Sequence, residues 1–170
     1  YSSSPSCVPS RAAITAGKFP SQAGAPTYIT PLPAYEKTFM SYLQELGYYT
    51  AVIGKQHFAH SQVKRGYDYE DIIDTHGPFT NCMGDPEESF DNSYNRFLKA
   101  SGFKDAKELS EFDPDHEGLI KWKVDQKYHV DDFVGEQAKK FLKGKLTEKP
   151  WYICVSFPGP HGPHDCSNLP

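Results

Sequence analysis

Residues 48–53 read YYTAVI, a short run of aromatic and β-branched side chains that predicts a buried β-strand. A second run of this kind, WYICVSF, occupies residues 151–157. The first run leads into GKQH at residues 54–57, and the second leads into PGPHGPH at residues 158–164. Two strong strands are therefore predicted, and each ends in a loop that carries histidine.

Amphipathic helices are predicted before both strands. Apolar residues recur at helical spacing over residues 39–46, after Thr38, which suits a helix cap, and before Gly47, which suits a helix end. A longer apolar stripe spans residues 130–142, and Asp131 falls on its polar, solvated side. This order predicts an α/β fold in which a mainly parallel sheet is sandwiched between helices on both faces.

The composition suits one globular domain and argues against two kinds of partner. The 170 residues are 38% hydrophobic, which is enough for a core. The 18 basic and 22 acidic residues give a net charge of −4, so the chain lacks the positive surplus that nucleic-acid binding needs. No apolar run approaches the ~20 residues of a membrane-spanning helix. We therefore expect neither a nucleic-acid partner nor a membrane span.

The middle of the chain gives weaker signals. Residues 58–88 lack clear periodicity and hold several glycines and prolines, with a short strand predicted near residues 67–73. The spacing of Phe90, Tyr94, Phe97 and Leu98 predicts a helix that ends at Gly102, and residues 103–128 are polar and ambiguous. We interpret residues 58–128 as an irregular or helical excursion within a single domain that covers residues 1–170. Open α/β sheets bind ligands at the carboxyl ends of their strands. We therefore expect a site at that edge, formed by Lys55, His57, His161 and His164.

The most specific motif is CVPSR at residues 7–11, at the start of a helix predicted over residues 9–16. Together with the AAITAGK that follows, it resembles the signature of the type I sulfatases, members of the alkaline-phosphatase superfamily. In that family the cysteine is oxidised to Cα-formylglycine, and a formylglycine-generating enzyme reads the motif. The resemblance implies that Cys7 is converted in this way and that this enzyme is a partner during maturation.

The resemblance also implies a covalent route for the hydrolysis of sulfate esters. One hydroxyl of the hydrated aldehyde at Cys7 attacks sulfur with the help of one divalent cation, usually Ca²⁺, and the alcohol leaves. The second hydroxyl then loses its proton and sulfate is expelled, which restores the aldehyde. Arg11, one helical turn further on, would hold the diol or the sulfate by charge-assisted hydrogen bonds, and the helix N-terminus favours an anion.

Two further blocks match the same family in order. GKQH at residues 54–57 resembles the family's Gly-Lys-x-His block, which implies that Lys55 binds a sulfate oxygen and that His57 contacts the diol and assists sulfate release. The histidine loop after residue 157 resembles the family's Pro-His-x-Pro segment, which implies that His161 contacts the ester oxygen and protonates the leaving alcohol. His164 lies where relatives vary, and we include it only as a substrate-pocket residue.

The family's cation ligands are incomplete in this sequence. Its two adjacent aspartates would precede Tyr1 and its second ligand pair would follow Pro170, so that only Cys7, as formylglycine, remains as a metal ligand. The resemblance therefore implies a partial sulfatase catalytic domain over residues 1–170, incomplete in this chain because the first strand and the C-terminal portion are missing. We expect the chain alone to be inactive and the activity to belong to the full-length protein.

Two other functions remain open at this point. Phosphonate or phosphate ester hydrolases of the same superfamily share the cysteine motif, and a chain whose Cys7 is never modified would be a non-catalytic binding module. For a sulfatase, the substrate would be a small-molecule or carbohydrate sulfate ester. The habit of the family predicts a periplasmic, secreted or lysosomal protein.

Overall fold

The computed structural model describes residues 1–59, 63–74, 91–104, 106–144, 148–162 and 164–166. Within these ranges the helices are α1 (Cys7–Ala16), α2 (Phe39–Glu45), α3 (Ser93–Ala100) and α4 (Val130–Lys143). The strands are β1 (Tyr49–Gly54), β2 (Tyr69–Ile72), β3 (Ser110–Phe112), β4 (Leu119–Trp122), β5 (Trp151–Ser156) and β6 (His164–Cys166). Short 3-10 turns lie at Ala106–Glu108 and Gln126–Tyr128.

Three parallel strands form the first sheet, in the order β2-β1-β5. Ala51 of the central strand β1 lies opposite Tyr69 of β2 and Ile153 of β5. The central residues of β1 are buried, as expected of a parallel strand covered on both faces. The predicted parallel sheet is confirmed, and the short strand predicted near residues 67–73 is its edge strand β2.

Helices cover both faces of this sheet, as the sequence predicts. Val52 of β1 belongs to a buried cluster that includes Ala12 of α1 and Met40 of α2. Its neighbour Ile53 belongs to a second cluster, with Leu98 of α3 and Val134 of α4. Successive side chains of a strand point to opposite faces, so the two clusters lie on opposite sides of β1.

The ends of the first two helices show which local signals were correct. Helix α1 begins at Cys7, two residues before the predicted start, because proline is tolerated in a first helical turn and Pro9 falls there. The helix ends at Gly17, whose φ of 65° is the left-handed conformation that glycine adopts readily. Helix α2 begins after Thr38, whose hydroxyl accepts a hydrogen bond from the Ser41 N–H at 3.3 Å. None of the described helices is both long and apolar enough to cross a bilayer.

A second sheet, in the order β3-β4-β6, takes two of its three short strands from the segment between residues 58 and 128. Strands β3 and β4 are antiparallel, and β6 pairs in parallel with β4. The sequence pattern predicted irregular or helical structure here, and the strands β3 and β4 differ from that expectation. They are three and four residues long, and Trp122 is their one fully buried member, so they show too little alternation to be recognised.

Candidate active site

The loop after β1 turns sharply at Gly54, next to the end of β5. Gly54 has a φ of 96°, and a Cβ at this position would lie 2.1 Å from the carbonyl oxygen of Ser156. No other residue type fits this close approach of two backbones. Glycine therefore lets the following residues, Lys55, Gln56 and His57, fold back against the carboxyl edge of the sheet.

Three consecutive N–H groups of this loop already have protein acceptors. The N–H of Lys55 donates to the Ser156 carbonyl over 2.7 Å. The N–H groups of Gln56 and His57 donate to the two carboxylate oxygens of Asp74 over 2.7 and 2.8 Å. Because these groups are occupied, an anion at this edge has to be bound by side chains rather than by the main chain of residues 55–57.

The three loop residues are buried to an unusual degree for polar side chains. Lys55, Gln56 and His57 are 3%, 2% and 4% exposed. Lysine is almost never fully buried without a compensating partner. His57 also has a φ of 52°, a left-handed conformation that side chains other than glycine rarely adopt. Such conformations persist where surrounding contacts enforce them, and they occur often at functional sites.

Arg11 joins helix α1 to the ends of the central strand β1 and of its neighbour β5. Its Nη1 donates to the carbonyl oxygen of Lys55 over 3.2 Å and to the hydroxyl of Ser156 over 3.0 Å. Cys7 lies four residues earlier on α1, so it shares a helix face with Arg11. Cys7 is a partly buried free thiol at the first residue of the helix. The structure thus connects the CVPSR motif to the GKQH loop through one guanidinium group.

The loop after β5 carries His161 and is fixed by a residue of α4. The N–H of Gly159 donates to Oδ1 of Asp131 over 3.1 Å. Two residues on, the Nδ1 atom of the exposed His161 lies 2.8 Å from the Gly162 carbonyl oxygen. The sequence pattern placed Asp131 on the solvated face of α4, and this contact was missed. The sequence feature that could have indicated a role for Asp131 is its position in the first turn of α4, where the helix dipole favours a carboxylate.

The residues expected at the site therefore fall into three groups. Arg11 contacts the Lys55 carbonyl directly, and His57 belongs to the same loop as Lys55. His161 follows on the loop that leaves β5. His164 is exposed and begins β6 in the second sheet, where its N–H donates to the Gly118 carbonyl over 2.8 Å. The place of His164 in a substrate pocket stays a prediction.

Asp74 is an acidic residue that lies beside the loop of residues 55–57 and that the sequence motifs do not include. Burial raises the pKa of its carboxyl from 3.8 to about 6, against the N–H groups of His57 and Gln56 and the charges of Lys55 and Arg11, which lower it. Near neutral pH the group is a carboxylate that accepts both N–H bonds. A signal was present, because Asp74 directly follows the strand predicted near residues 67–73.

A small cavity of about 140 Å³ lies beside the loop, on the side of the apolar core. Arg11, Lys55 and Gln56 line it together with mostly apolar side chains from α1, α2 and β5. The side-chain amide of Gln56 is buried there, and neither Nε2 nor Oε1 has a hydrogen-bond partner among the described residues.

Within the ranges that the structure describes, no three or more His, Cys, Asp or Glu side chains are grouped so that they could hold a metal ion. Calcium typically takes six to eight oxygen ligands. The described residues therefore do not by themselves form the calcium site that the resemblance implies.

Comparison with known proteins agrees with the motifs. A model of the family described as Sulfatase matches residues 1–170. The chain is 28% identical over 172 residues to the choline-sulfatase of Rhizobium meliloti (strain 1021), covering 96% of this chain and 31% of that protein. It is 26% identical over 172 residues to an arylsulfatase of Clostridium perfringens (strain 13 / Type A), covering 97% of this chain and 35% of that protein. The chain thus spans about a third of the length of these curated relatives.

Solved structures share the fold over nearly the whole chain. The crystal structure of Ps i-CgsB superposes with a TM-score of 0.59 at 24% identity, over 95% of this chain and 36% of that one. A structure solved in complex with its substrate, D-glucosamine-2-N,6-O-disulfate, gives a TM-score of 0.56 at 21% identity, over 91% of this chain and 25% of that one. At these identities the likeness shows the fold alone.

Proposed function

We propose that the full-length protein hydrolyses sulfate esters, because this chain belongs to the sulfatase family. The observation that carries the proposal is the pair of hydrogen bonds from Arg11. They tie the helix that begins with Cys7 to the Lys55 carbonyl and to the Ser156 hydroxyl, although these residues are far apart in the sequence. These contacts support a shared site for the first two motifs, beside the end of the strand that leads into the loop with His161.

The proposed roles of the side chains follow from their chemistry. Cys7, oxidised to formylglycine by a formylglycine-generating enzyme, would supply the diol that takes up the sulfuryl group and then releases it. Arg11 and Lys55 would hold the negative charge of sulfate, Arg11 as a fork and Lys55 as a point charge. Lys55 and Arg11 both lie close enough to Asp74 to lower its pKa, and both would attract a monoanionic ester.

Two histidines would move protons in this scheme. His57, held in the buried loop after β1, would take the proton from the second diol hydroxyl as sulfate is expelled. His161, on the exposed loop after β5, would donate a proton to the departing alcohol as a general acid. His164 is retained as a substrate-pocket residue on the strand that follows. Ca²⁺ is the cation proposed for the full-length protein, with the oxygen derived from Cys7 as the one ligand assigned to this chain.

The substrate class and location rest on the family alone. We infer a small-molecule or carbohydrate sulfate ester as substrate, in line with relatives called choline-sulfatase and arylsulfatase and with a structural neighbour solved with a sulfated glucosamine. A periplasmic, secreted or lysosomal location is proposed on the same ground.

Two measurements on the full-length protein test this proposal. The protein is produced with a formylglycine-generating enzyme, and the mass of the peptide that contains Cys7 is measured beside turnover of an aryl sulfate and an aryl phosphonate. We expect an aldehyde at position 7 and preferential hydrolysis of the sulfate. An aldehyde with preferential phosphonate hydrolysis would contradict the substrate class, and a persistent thiol without turnover would contradict the catalytic assignment.

A further inference from the structure

Asp74 makes a contact that none of the three sequence motifs contains. Its Oδ1 accepts the N–H of Gln56 over 2.7 Å and its Oδ2 accepts the N–H of His57 over 2.8 Å. Each carboxylate oxygen thus holds one peptide group of the loop between Lys55 and His57. Hydrogen bonds to an ionised acceptor are shorter and stronger than those between neutral groups.

The loop needs such support because of its backbone conformation. His57 has a φ of 52°, which an L side chain adopts only when neighbouring contacts over-determine it. The two bonds to Asp74 fix the peptide groups on either side of Gln56. The preceding peptide group, between Gly54 and Lys55, is fixed by the bond from the Lys55 N–H to Ser156, and the bond from Arg11 to the Lys55 carbonyl further fixes the peptide group between Lys55 and Gln56.

Asp74 reaches this position because of the register of the parallel strands. Gly54 of β1 lies opposite Ile72 of β2, and the N–H of Ile73 donates to the Gly54 carbonyl over 3.0 Å. Asp74 is the next residue, so its side chain meets the loop that leaves the neighbouring strand. Lys55 and Arg11 lie close enough to lower its pKa, and their charges oppose the cost of burying the carboxylate.

We propose that Asp74 is a positioning residue of the site, which holds the Lys55–His57 loop in the one backbone conformation that presents the Lys55 and His57 side chains to the sulfate group. This inference rests on the proposed sulfatase function, and it assigns to Asp74 no contact with substrate. Aspartate is specific for the task because an amide at this position offers one oxygen and would direct an NH₂ group at the second N–H.

The chain provides a matched control at the other end of β1. Asp68 accepts the N–H of Thr50 through Oδ2 over 2.8 Å, so it is also a carboxylate that holds the backbone of β1 from the neighbouring segment. It lies at the amino end of the strand, away from the loop at residues 55–57. Asp68→Asn therefore makes the same change in a carboxylate that holds a single main-chain N–H, which the amide oxygen can still accept, and it does not touch the site.

The test compares Asp74→Asn and Asp68→Asn in the full-length protein matured with formylglycine. Steady-state turnover of an aryl sulfate is measured beside amide hydrogen exchange of the peptide that covers residues 54–58. We expect Asp74→Asn to lower kcat by about 10- to 100-fold, because small misplacements of reacting groups have effects of this size. Exchange over residues 54–58 should rise only in this variant, and Asp68→Asn should keep kcat within about twofold of the wild type.

Two results would overturn the inference: wild-type kcat in Asp74→Asn, or equal losses of kcat in both variants. If Asp74→Asn does not fold, amide hydrogen exchange of the wild-type protein as a function of pH tests the inference instead. Opening of the loop with Asp74 still buried breaks the two N–H bonds that lower its pKa, so protonation of Asp74 beside Lys55, Arg11 and His57 favours this opening. Protection of residues 54–58, corrected for intrinsic exchange and for global unfolding, should therefore fall as the pH drops below 6. Unchanged protection would contradict the role of Asp74. A wild type without sulfatase activity would refute the proposed function, whereas the exchange data would still decide whether Asp74 holds the loop.

Discussion

Nη1 of Arg11 lies 3.2 Å from the carbonyl oxygen of Lys55 and donates a hydrogen bond to it. The two residues belong to different motifs, one at the start of a helix and one in the loop after a strand. The contact fixes the distance between them, so the helix that begins with Cys7 is held beside the loop that contains His57. The same guanidinium contacts Ser156, at the end of the third strand of this edge.

Replacing Arg11 by lysine tests this connection. Arg11→Lys keeps the charge but shortens the side chain and removes the fork, so it cannot keep both contacts. We expect the free energy of unfolding to fall by about 1–3 kcal/mol, the range for hydrogen bonds to charged groups, and kcat of the full-length enzyme to fall at least tenfold. Urea unfolding and an aryl sulfate assay measure the two effects.

Arg96→Lys is the matched control for that substitution. Arg96 pairs with Asp91 over 3.2 Å, but both side chains are mostly exposed, at 58% and 64%. Exposed pairs of this kind contribute between zero and about 1 kcal/mol, so the control should change little. Similar effects of both substitutions would show that the contacts of Arg11 have no special importance.

Gly159→Ala tests the anchoring of the loop that carries His161. A Cβ at residue 159 would lie 2.4 Å from Oδ2 of Asp131, which is far inside van der Waals contact. The loop or the carboxylate must move, at a cost of about 1–3 kcal/mol, and we expect kcat to fall about tenfold as His161 is displaced. Gly162→Ala is the control, because its Cβ would lie 3.9 Å from the nearest atom, Nε2 of His164. A loss of kcat in Gly162→Ala as large as in Gly159→Ala would remove the support for this anchor.

Gln56→Met should stabilise the chain. The amide of Gln56 is buried without a hydrogen-bond partner among the described residues, and it borders a cavity of about 140 Å³. Methionine has a similar shape and no polar group to desolvate, so the free energy of unfolding should rise by about 1–3 kcal/mol. The exposed Gln126→Met is the control and should change stability by less than about 0.5 kcal/mol. A clear loss of stability in Gln56→Met would show that the amide has a partner that the described contacts do not include.

The stability of the chain should depend on pH through Asp74. Its pKa is raised from 3.8 to about 6 in the folded state, so between these values the folded chain binds more protons than the unfolded chain. The free energy of unfolding therefore falls as the pH rises from about 4 to about 6, by up to about 3 kcal/mol for this group. Urea unfolding across this range measures the slope, and Asp74→Asn should make it shallower. An unchanged slope in that variant would mean that Asp74 is not the titrating group.

Elements with a long or strongly apolar pattern were predictable from the sequence. The strands β1 and β5 and the helix α4 carry enough apolar residues for the pattern to decide both their type and their approximate bounds. The expectation that Lys55, His57, His161 and His164 share one edge came from the rule that parallel strands end on the same side, and it stays a prediction. Strands β3 and β4 were not predictable, because they are short and mostly exposed and are held by pairing with one another.

The contacts that support the site were less accessible than the motifs themselves. Asp74 and Asp131 act on loops that are 17 and 28 positions away in the chain, and these pairings depend on strand register and helix placement. A short sequence motif gives no information about contacts between residues that are so far apart in the chain. Cys7, Arg11, Lys55 and His57 could be proposed from the sequence because they lie in short motifs, whereas the contacts of the two carboxylates required the fold.

The most direct test of the central claim is the mass of the full-length Cys7→Ser variant after incubation with an aryl sulfate. The introduced hydroxyl can attack sulfur and release the alcohol, but it lacks the second hydroxyl through which a diol expels sulfate. If the proposed mechanism is correct, we expect one sulfuryl group per chain, located at position 7, and no sustained turnover. Turnover at the wild-type rate in a host that cannot oxidise serine, with no adduct at position 7, would contradict it.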